Sequence, residues 1–287
     1  MNVFAMKATY PLDTLTQQEL TQLCEDAALT DGVNYLEWMH EQDWNEWDTR
    51  GFFVFIYDED HDRLVAALSA FDAFGLHAYE WSMVIEPLYR SIGLEEVLID
   101  GLKHGLEERQ ATGEMAVVDQ RQEMKQVLEQ QGYVYSSSKL QMMTTAQQEN
   151  DVEFNVRPYQ PDDLQVVQQM MSDGFGDLPE ETEEFIALMD EESSSHVFVA
   201  TQQDEVVAMV TTAVLERQLW ITSFTTLASK RRQGIASNLV KWVKNEAYRQ
   251  QLKSVRLEVE TENIEALTFY KQAGFEVVEQ VDYYIVK

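Results

Sequence analysis

Lys230, Arg231 and Arg232 stand one residue before Gly234-Ile235-Ala236, with Gln233 between. They join two segments with different periods. Leu219 to Leu227 is rich in β-branched and aromatic residues and reads as a strand. Ile235, Leu239, Trp242, Val243 and Ala247 recur at helical spacing. A helix start leaves backbone N–H groups unpaired at the positive end of its dipole, which suits an anion. Glycine at 234 and alanine at 236 let a large ligand approach the backbone. Three cations beside such a loop make a cradle for a pyrophosphate. The run is neither a Walker phosphate loop nor a dinucleotide fingerprint, because G-x-x-x-x-G-K-[ST] and G-x-G-x-x-G are both absent.

A second stretch follows. Val255 to Glu260 alternates apolar and charged residues, as a half-buried strand does. Asn263, Ala266, Tyr270, Gly274 and Phe275 come next. Asn263 and Tyr270 lie two helical turns apart, on one helix face. Arg231-x-x-Gly234-x-Ala236 resembles the (Q/R)-x-x-G-x-(G/A) loop of the general N-acetyltransferase (GNAT) superfamily. The second stretch resembles that family's N-x-x-A-x-x-x-Y-x-x-x-G-F signature, with every defining position filled. Both motifs occur in the family's order and spacing over roughly the last seventy residues, and the resemblance extends over the last half of the chain.

The resemblance implies an acetyl-CoA-dependent N-acetyltransferase that needs no metal. Coenzyme A phosphates would lie on the amides of Gln233, Gly234, Ile235, Ala236 and Ser237, with Arg231 and Arg232 beside them. The pantetheine arm would pair with the strand edge at Phe224, Thr225 and Thr226, and one N–H there would hold the thioester oxygen. Asn263 matches the position that contacts the cofactor arm, and Tyr270 matches the general acid. Full proton transfer from a tyrosine (pKa about 10) to a thiolate (thiol pKa about 8.5) is uphill by about 2 kcal/mol, so Tyr270 should first stabilise the thiolate by hydrogen bonding. The family often has a glutamate early on the cradle strand, but Trp220 stands there. Glu258 is the candidate base, acting through water, with Glu260 on the same strand face. Each is also an ordinary solvated strand charge.

The chain has 287 residues and a formal net charge of −30, from 51 acids and 21 bases. Such a chain repels nucleic acid and anionic membrane. Yet Lys230 to Arg256 holds eight bases and one acid, Glu246. An anionic ligand accounts for that local excess. No apolar run reaches transmembrane length, and Cys24 is the only cysteine, so no intrachain disulfide forms. These features read as a cytoplasmic protein. The five histidines show no metal-ligand spacing. Oligomeric state is not legible.

An internal repeat organises the rest. Arg90 and Arg231, Gly93 and Gly234, and Leu98 and Leu239 are each 141 residues apart. Gly132-Tyr133 precedes Gly274-Phe275 by 142. The expected fold is α/β, of the α+β mixed-sheet kind: two GNAT-like domains in tandem, residues 1–147 and 151–287. Each is a mostly antiparallel sheet with a parallel, splayed strand pair flanked by helices. Ser136-Ser137-Ser138 reads as a turn and 146–151 as a linker. Two short closing strands are expected at 275–278 and 283–286. The first copy reads as degenerate, with Glu95 where the family has a small residue and Leu128 in place of Tyr270.

The acceptor reads as a small-molecule or peptide amine. Asp173, Asp177 and Glu180 to Glu184 favour a cationic one, although acids at a helix start also need no ligand. The competing reading is a non-catalytic acyl-CoA-binding or protein-interaction module. In a third, the first copy supplies the surface for a protein substrate.

Overall fold

The computed structural model describes residues 2–72, 75–149, 155–191, 195–215 and 217–286. Asn150 and Asp151 of the expected linker lie outside them. The chain forms two compact units, Met1–Ser138 with Gln280–Lys287, and Lys139–Glu279. The sequence division at 147/151 follows the chain, whereas these units interleave.

The first unit contains β1 (Val3–Ala8), α1 (Thr14–Asp31), α2 (Tyr35–Trp38), β2 (Gly51–Asp58), β3 (Arg63–Phe71), β4 (Ala78–Ile85), α3 (Leu94–Glu108), β5 (Gly113–Val118), α4 (Gln122–Gln130) and the start of β6 (Tyr133–Thr145). The second continues with the rest of β6, β7 (Asn155–Pro158), α5 (Leu164–Phe175), α6 (Pro179–Glu191), β8 (Ser195–Gln202), β9 (Glu205–Leu215), β10 (Gln218–Thr226), α7 (Ile235–Arg249), β11 (Ser254–Glu260), α8 (Ile264–Gln272) and the start of β12 (Glu276–Val286).

Each unit has antiparallel neighbours and one short parallel pair. In the first, β4 runs parallel to β5 only from Ala78 to Trp81, although β4 continues to Ile85. In the second, β10 runs parallel to β11 only from Leu219 to Ile221 and continues to Thr226. The pairing of β10 with β9 shifts register between Ile221 and Ser223, a bulge that turns the strand where the parallel partner leaves it. In the second unit, Leu239, Val243, Leu257, Tyr270 and Phe275 pack together on the α7–α8 side of the strands. A separate cluster holds Val167, Met170, Met171 and Ile186 of α5 and α6 against Val199 and Met209.

The repeat extends to element boundaries. Helices α3 and α7 begin and end 141 residues apart, and α4 and α8 are 142 apart. The closing region differs from expectation. One eleven-residue strand, β12, replaces the two short strands. Its Met115–Val118 partners lie on β5, so the end of the chain completes the first unit. The serines expected as a turn belong to β6. Ser138 donates to Asp282 Oδ1 at 2.6 Å, while Lys125 Nζ reaches Oδ2 at 2.7 Å. That tertiary partner outweighs the turn preference of a serine run.

Candidate active site

The cradle is built by the end of β10 and the start of α7. A turn of 3-10 helix, Ala228–Lys230, leads to Arg231 in extended conformation, Arg232 at φ 63° and Gly234 at φ 79°. Gly234 caps α7 in the left-handed region, which only glycine enters without strain. A side-chain carbon there would meet nothing within 4 Å, so the space above the loop is open. Among the described residues, the amides of Gln233, Gly234, Ile235, Ala236 and Ser237 have no hydrogen-bond partner. The first turn of α7 contains no acid.

The arginines have separate tasks. Arg231 Nε donates to the Thr226 carbonyl at 3.3 Å and its terminal nitrogen reaches the Asp173 carbonyl at 3.5 Å, so Arg231 ties the loop to β10 and α5. Arg232 is exposed, and its contact with Glu265 at 3.5 Å joins two solvated side chains. Such a pair contributes little and exchanges readily for an anionic ligand. Lys230 approaches Glu205 at 3.6 Å.

Phe224, Thr225 and Thr226 lie beyond the last parallel pair, where β10 has an edge free of β11. Thr225 is buried, with its hydroxyl donating to the Met170 carbonyl at 3.3 Å. Gly174 lies against the same hydroxyl, and a methyl there would come within 2.8 Å of it. The motifs did not single out this close approach of α5 to the strand, although its signal is legible in Asp173-Gly174-Phe175-Gly176.

Tyr270 sits on α8, 8% exposed, in an aromatic cluster. Its ring centroid is 6.2 Å from Phe224, 5.1 Å from Phe269 and 5.5 Å from Phe275. Phe269, unassigned from sequence, also lies 6.1 Å from Phe224. The Tyr270 hydroxyl has no hydrogen-bond partner among the described residues. Burial pushes its pKa above the ordinary tyrosine value, so it stays protonated and can donate at neutral pH. Asn263 caps α8, its side chain accepting from Ala266 N at 3.0 Å, which leaves its amide nitrogen as a donor.

Glu258 stands apart from this group. Alternation along β11 puts Leu257 and Val259 in the cluster with Tyr270, and Glu258 on the other face. There it meets Lys139 at 3.6 Å and accepts from Gln141 at 3.4 Å. Arg256, on the same face, lies 5.7 Å from the Trp220 ring centroid. The structure therefore groups Phe224 with Tyr270 and the cradle with the end of β10, but brings Glu258 to neither.

The equivalent loop of the first unit has the same backbone. A turn at Pro87–Tyr89 precedes Ser91 at φ 60° and Gly93 at φ 91°. Arg90 Nε donates to the Ile85 carbonyl at 3.1 Å. The chemistry is reversed, because Glu95 and Glu96 occupy the first turn of α3. Glu95 Oε1 lies 3.4 Å from Ser91 N, and Glu96 Oε2 would lie 3.7 Å from a side-chain carbon at Gly93. The Arg90 guanidinium is held by both oxygens of Asp31, at 2.8 and 2.5 Å. Arg121 is at the α4 cap and Leu128 is buried in the core.

Among the described residues, no group of three or more His, Cys, Asp or Glu side chains could hold a metal ion. No helix among them is long and apolar enough to cross a membrane.

Residues 164–275 match the model of the acetyltransferase (GNAT) family. No curated protein sequence matches the chain. Solved structures share the fold over nearly its whole length. A GCN5-related N-acetyltransferase from Sphaerobacter thermophilus superposes with a TM-score of 0.78 at 18% identity, covering 99% of this chain and 95% of that one. A tandem GNAT protein from the clavulanic acid biosynthesis pathway gives 0.70 at 11% identity, with 99% and 98% covered. A GNAT-family acetyltransferase from Colwellia psychrerythraea gives 0.60 at 12%, with both chains covered completely.

Proposed function

We propose that the second unit is an N-acetyltransferase moving an acetyl group from acetyl-CoA to a primary amine, a reading supported by the match of residues 164–275 to the GNAT family model and by the shared fold of a tandem GNAT protein. The observation carrying this reading is the set of five unpartnered amides from Gln233 to Ser237, at the start of an acid-free helix and beneath Lys230, Arg231 and Arg232. Charged phosphates would be stabilised there by the N–H groups, the helix dipole and the cations together. The free edge of β10 at Phe224, Thr225 and Thr226 would hold the pantetheine arm and present an N–H to the thioester oxygen.

In this reading a neutral amine attacks the thioester carbonyl carbon. The carbon–sulfur bond breaks, the amine loses its proton to solvent, and sulfur leaves as a thiolate. Tyr270 donates a hydrogen bond to that sulfur. With its pKa raised by burial, it stabilises the developing charge better than it surrenders a proton. Glu258 is the candidate base for that outgoing proton, taken through water, although its contacts with Lys139 and Gln141 favour a structural role.

The exposed side chains of Phe175 and Leu178 flank Asp177 along the chain, just after Gly174, which lies against Thr225 of the cradle strand. Burial, and then Glu181, raises the Asp177 pKa. A cationic amine with an apolar body would match that surface. Offering acetyl-CoA with a panel of amines and weighing the products by mass spectrometry tests the proposal. Acetylated amine with free coenzyme A supports transfer. Acetyl-CoA binding without any product favours a binding module.

A further inference from the structure

The first unit contains a cavity of about 300 Å³ at the splay of β4 and β5, where the second unit would place its acyl donor. At about 30 Å³ per water, it has room for roughly ten water-sized groups, suiting a small molecule. Met83, Ile85 and Met124 form an apolar wall. Methionine side chains adapt to varied apolar shapes.

The polar wall selects a charge. Arg90 is bidentate to Asp31, at 2.8 and 2.5 Å. Arg121 reaches Asp119 at 2.6 Å and Asp31 at 3.5 Å, and donates to Tyr35 Oη at 2.9 Å. Two guanidiniums are thus matched by two carboxylates and are not open to a ligand anion. Glu95 and Glu123 also line the cavity and have no cation partner among the described residues. The uncompensated charge is negative, beside an apolar wall.

We propose that this cavity binds a small organic cation, a primary ammonium on a short apolar body, in place of an acyl-CoA. The ammonium faces Glu95 and Glu123, and the body packs on Met83, Ile85 and Met124. The site is distinct from the transfer site and stands whether or not the second unit transfers acetyl groups.

The test is a titration of the full chain, labelled with ¹³C at its methionine methyls, with isopentylamine and with the isosteric neutral alcohol. Met83 and Met124 report this cavity, while Met170 and Met171 report the second unit. The expected result is saturable shifts at Met83 and Met124 with the amine and several-fold weaker ones with the alcohol. Glu95→Gln combined with Glu123→Gln should raise the amine Kd about fivefold or more, as the loss of two partly solvated charge contacts implies. Glu123→Gln alone, at an exposed position, should raise it about twofold and serves if the double variant does not fold. No saturable shift, equal affinity for the alcohol, or unchanged affinity in a folded variant overturns the proposal.

Discussion

Residues 87–94 and 228–235 trace one path with two chemistries. In both, a 3-10 turn precedes an arginine whose Nε returns to the carbonyl five residues earlier. A residue at φ near 60° and a left-handed glycine then open a fifteen-residue helix. The first loop has glutamates in the opening turn and a carboxylate 3.4 Å from a loop N–H. The second has open amides and three cations. The comparison separates what shapes the backbone, glycine and the arginine clasp, from what selects the ligand, the side chains at 95–96 and 236–237. A duplicated loop can keep its geometry after its chemistry has changed, because those positions differ.

The largest effect should come from the chain end. Deleting residues 280–287 removes buried Val281, Tyr283 and Tyr284 and the partner of β5. At about 1.5–3 kcal/mol for each large apolar side chain, the loss rivals the whole stability of a domain, about 5–15 kcal/mol. Hydrogen exchange at Met115 to Val118 should lose protection. Retained protection would show that the first unit stands without that strand.

Placing the carboxylate of the first loop into the second comes next. Ala236→Glu occupies the position equivalent to Glu95. A negative charge about 4 Å from a phosphate costs about 4 kcal/mol at an effective dielectric of 20, so acetyl-CoA affinity should fall at least about a hundredfold by calorimetry. Unchanged affinity in the folded variant would dissociate the loop chemistry from binding.

Tyr270→Phe is smaller. Packing against Phe224, Phe269 and Phe275 should survive, with acetyl-CoA affinity near wild type and kcat lowered by at least about tenfold. The raised pKa keeps the wild-type hydroxyl protonated as pH rises from 7 towards 10, so its ionisation should produce no alkaline loss of kcat in that window. A wild-type rate in the variant would return Tyr270 to a packing role. The smallest change belongs to Glu95→Ala. Removing one carboxylate leaves Glu96, Arg121 at the α4 cap and the Arg90–Asp31 clasp, so the first unit should gain no detectable acetyl-CoA binding. Appearance of a second acetyl-CoA site would make Glu95 the sole cause of the difference.

Local pattern carried much of this. Period and motif spacing located α7, β11 and α8 to within two residues, and the 141-residue offset of Arg90, Gly93 and Leu98 announced the second fold. The splay was implied by resemblance and is visible where the β10–β11 pairing stops at Ile221. Strand assignment at the end of the chain was not legible. Residues 276–286 carry no mark of their partner, because pairing of β12 with β5 is decided by contacts more than 150 residues apart, such as Lys125 with Asp282. At Gly174 the glycine-rich run was visible, but its partner Thr225, fifty-one residues on, was not legible for the same reason. Glu258 illustrates another limit. Alternation fixed its face but could not reveal that Lys139 and Gln141 hold it there.

The cradle of the second unit should be open to a phosphate and its repeat closed. Counting acetyl-CoA bound per full-length chain by isothermal titration calorimetry tests this most directly. One equivalent is expected, abolished by Ala236→Glu and unaffected by Glu95→Ala. Two equivalents, or a single one that survives Ala236→Glu, would contradict it.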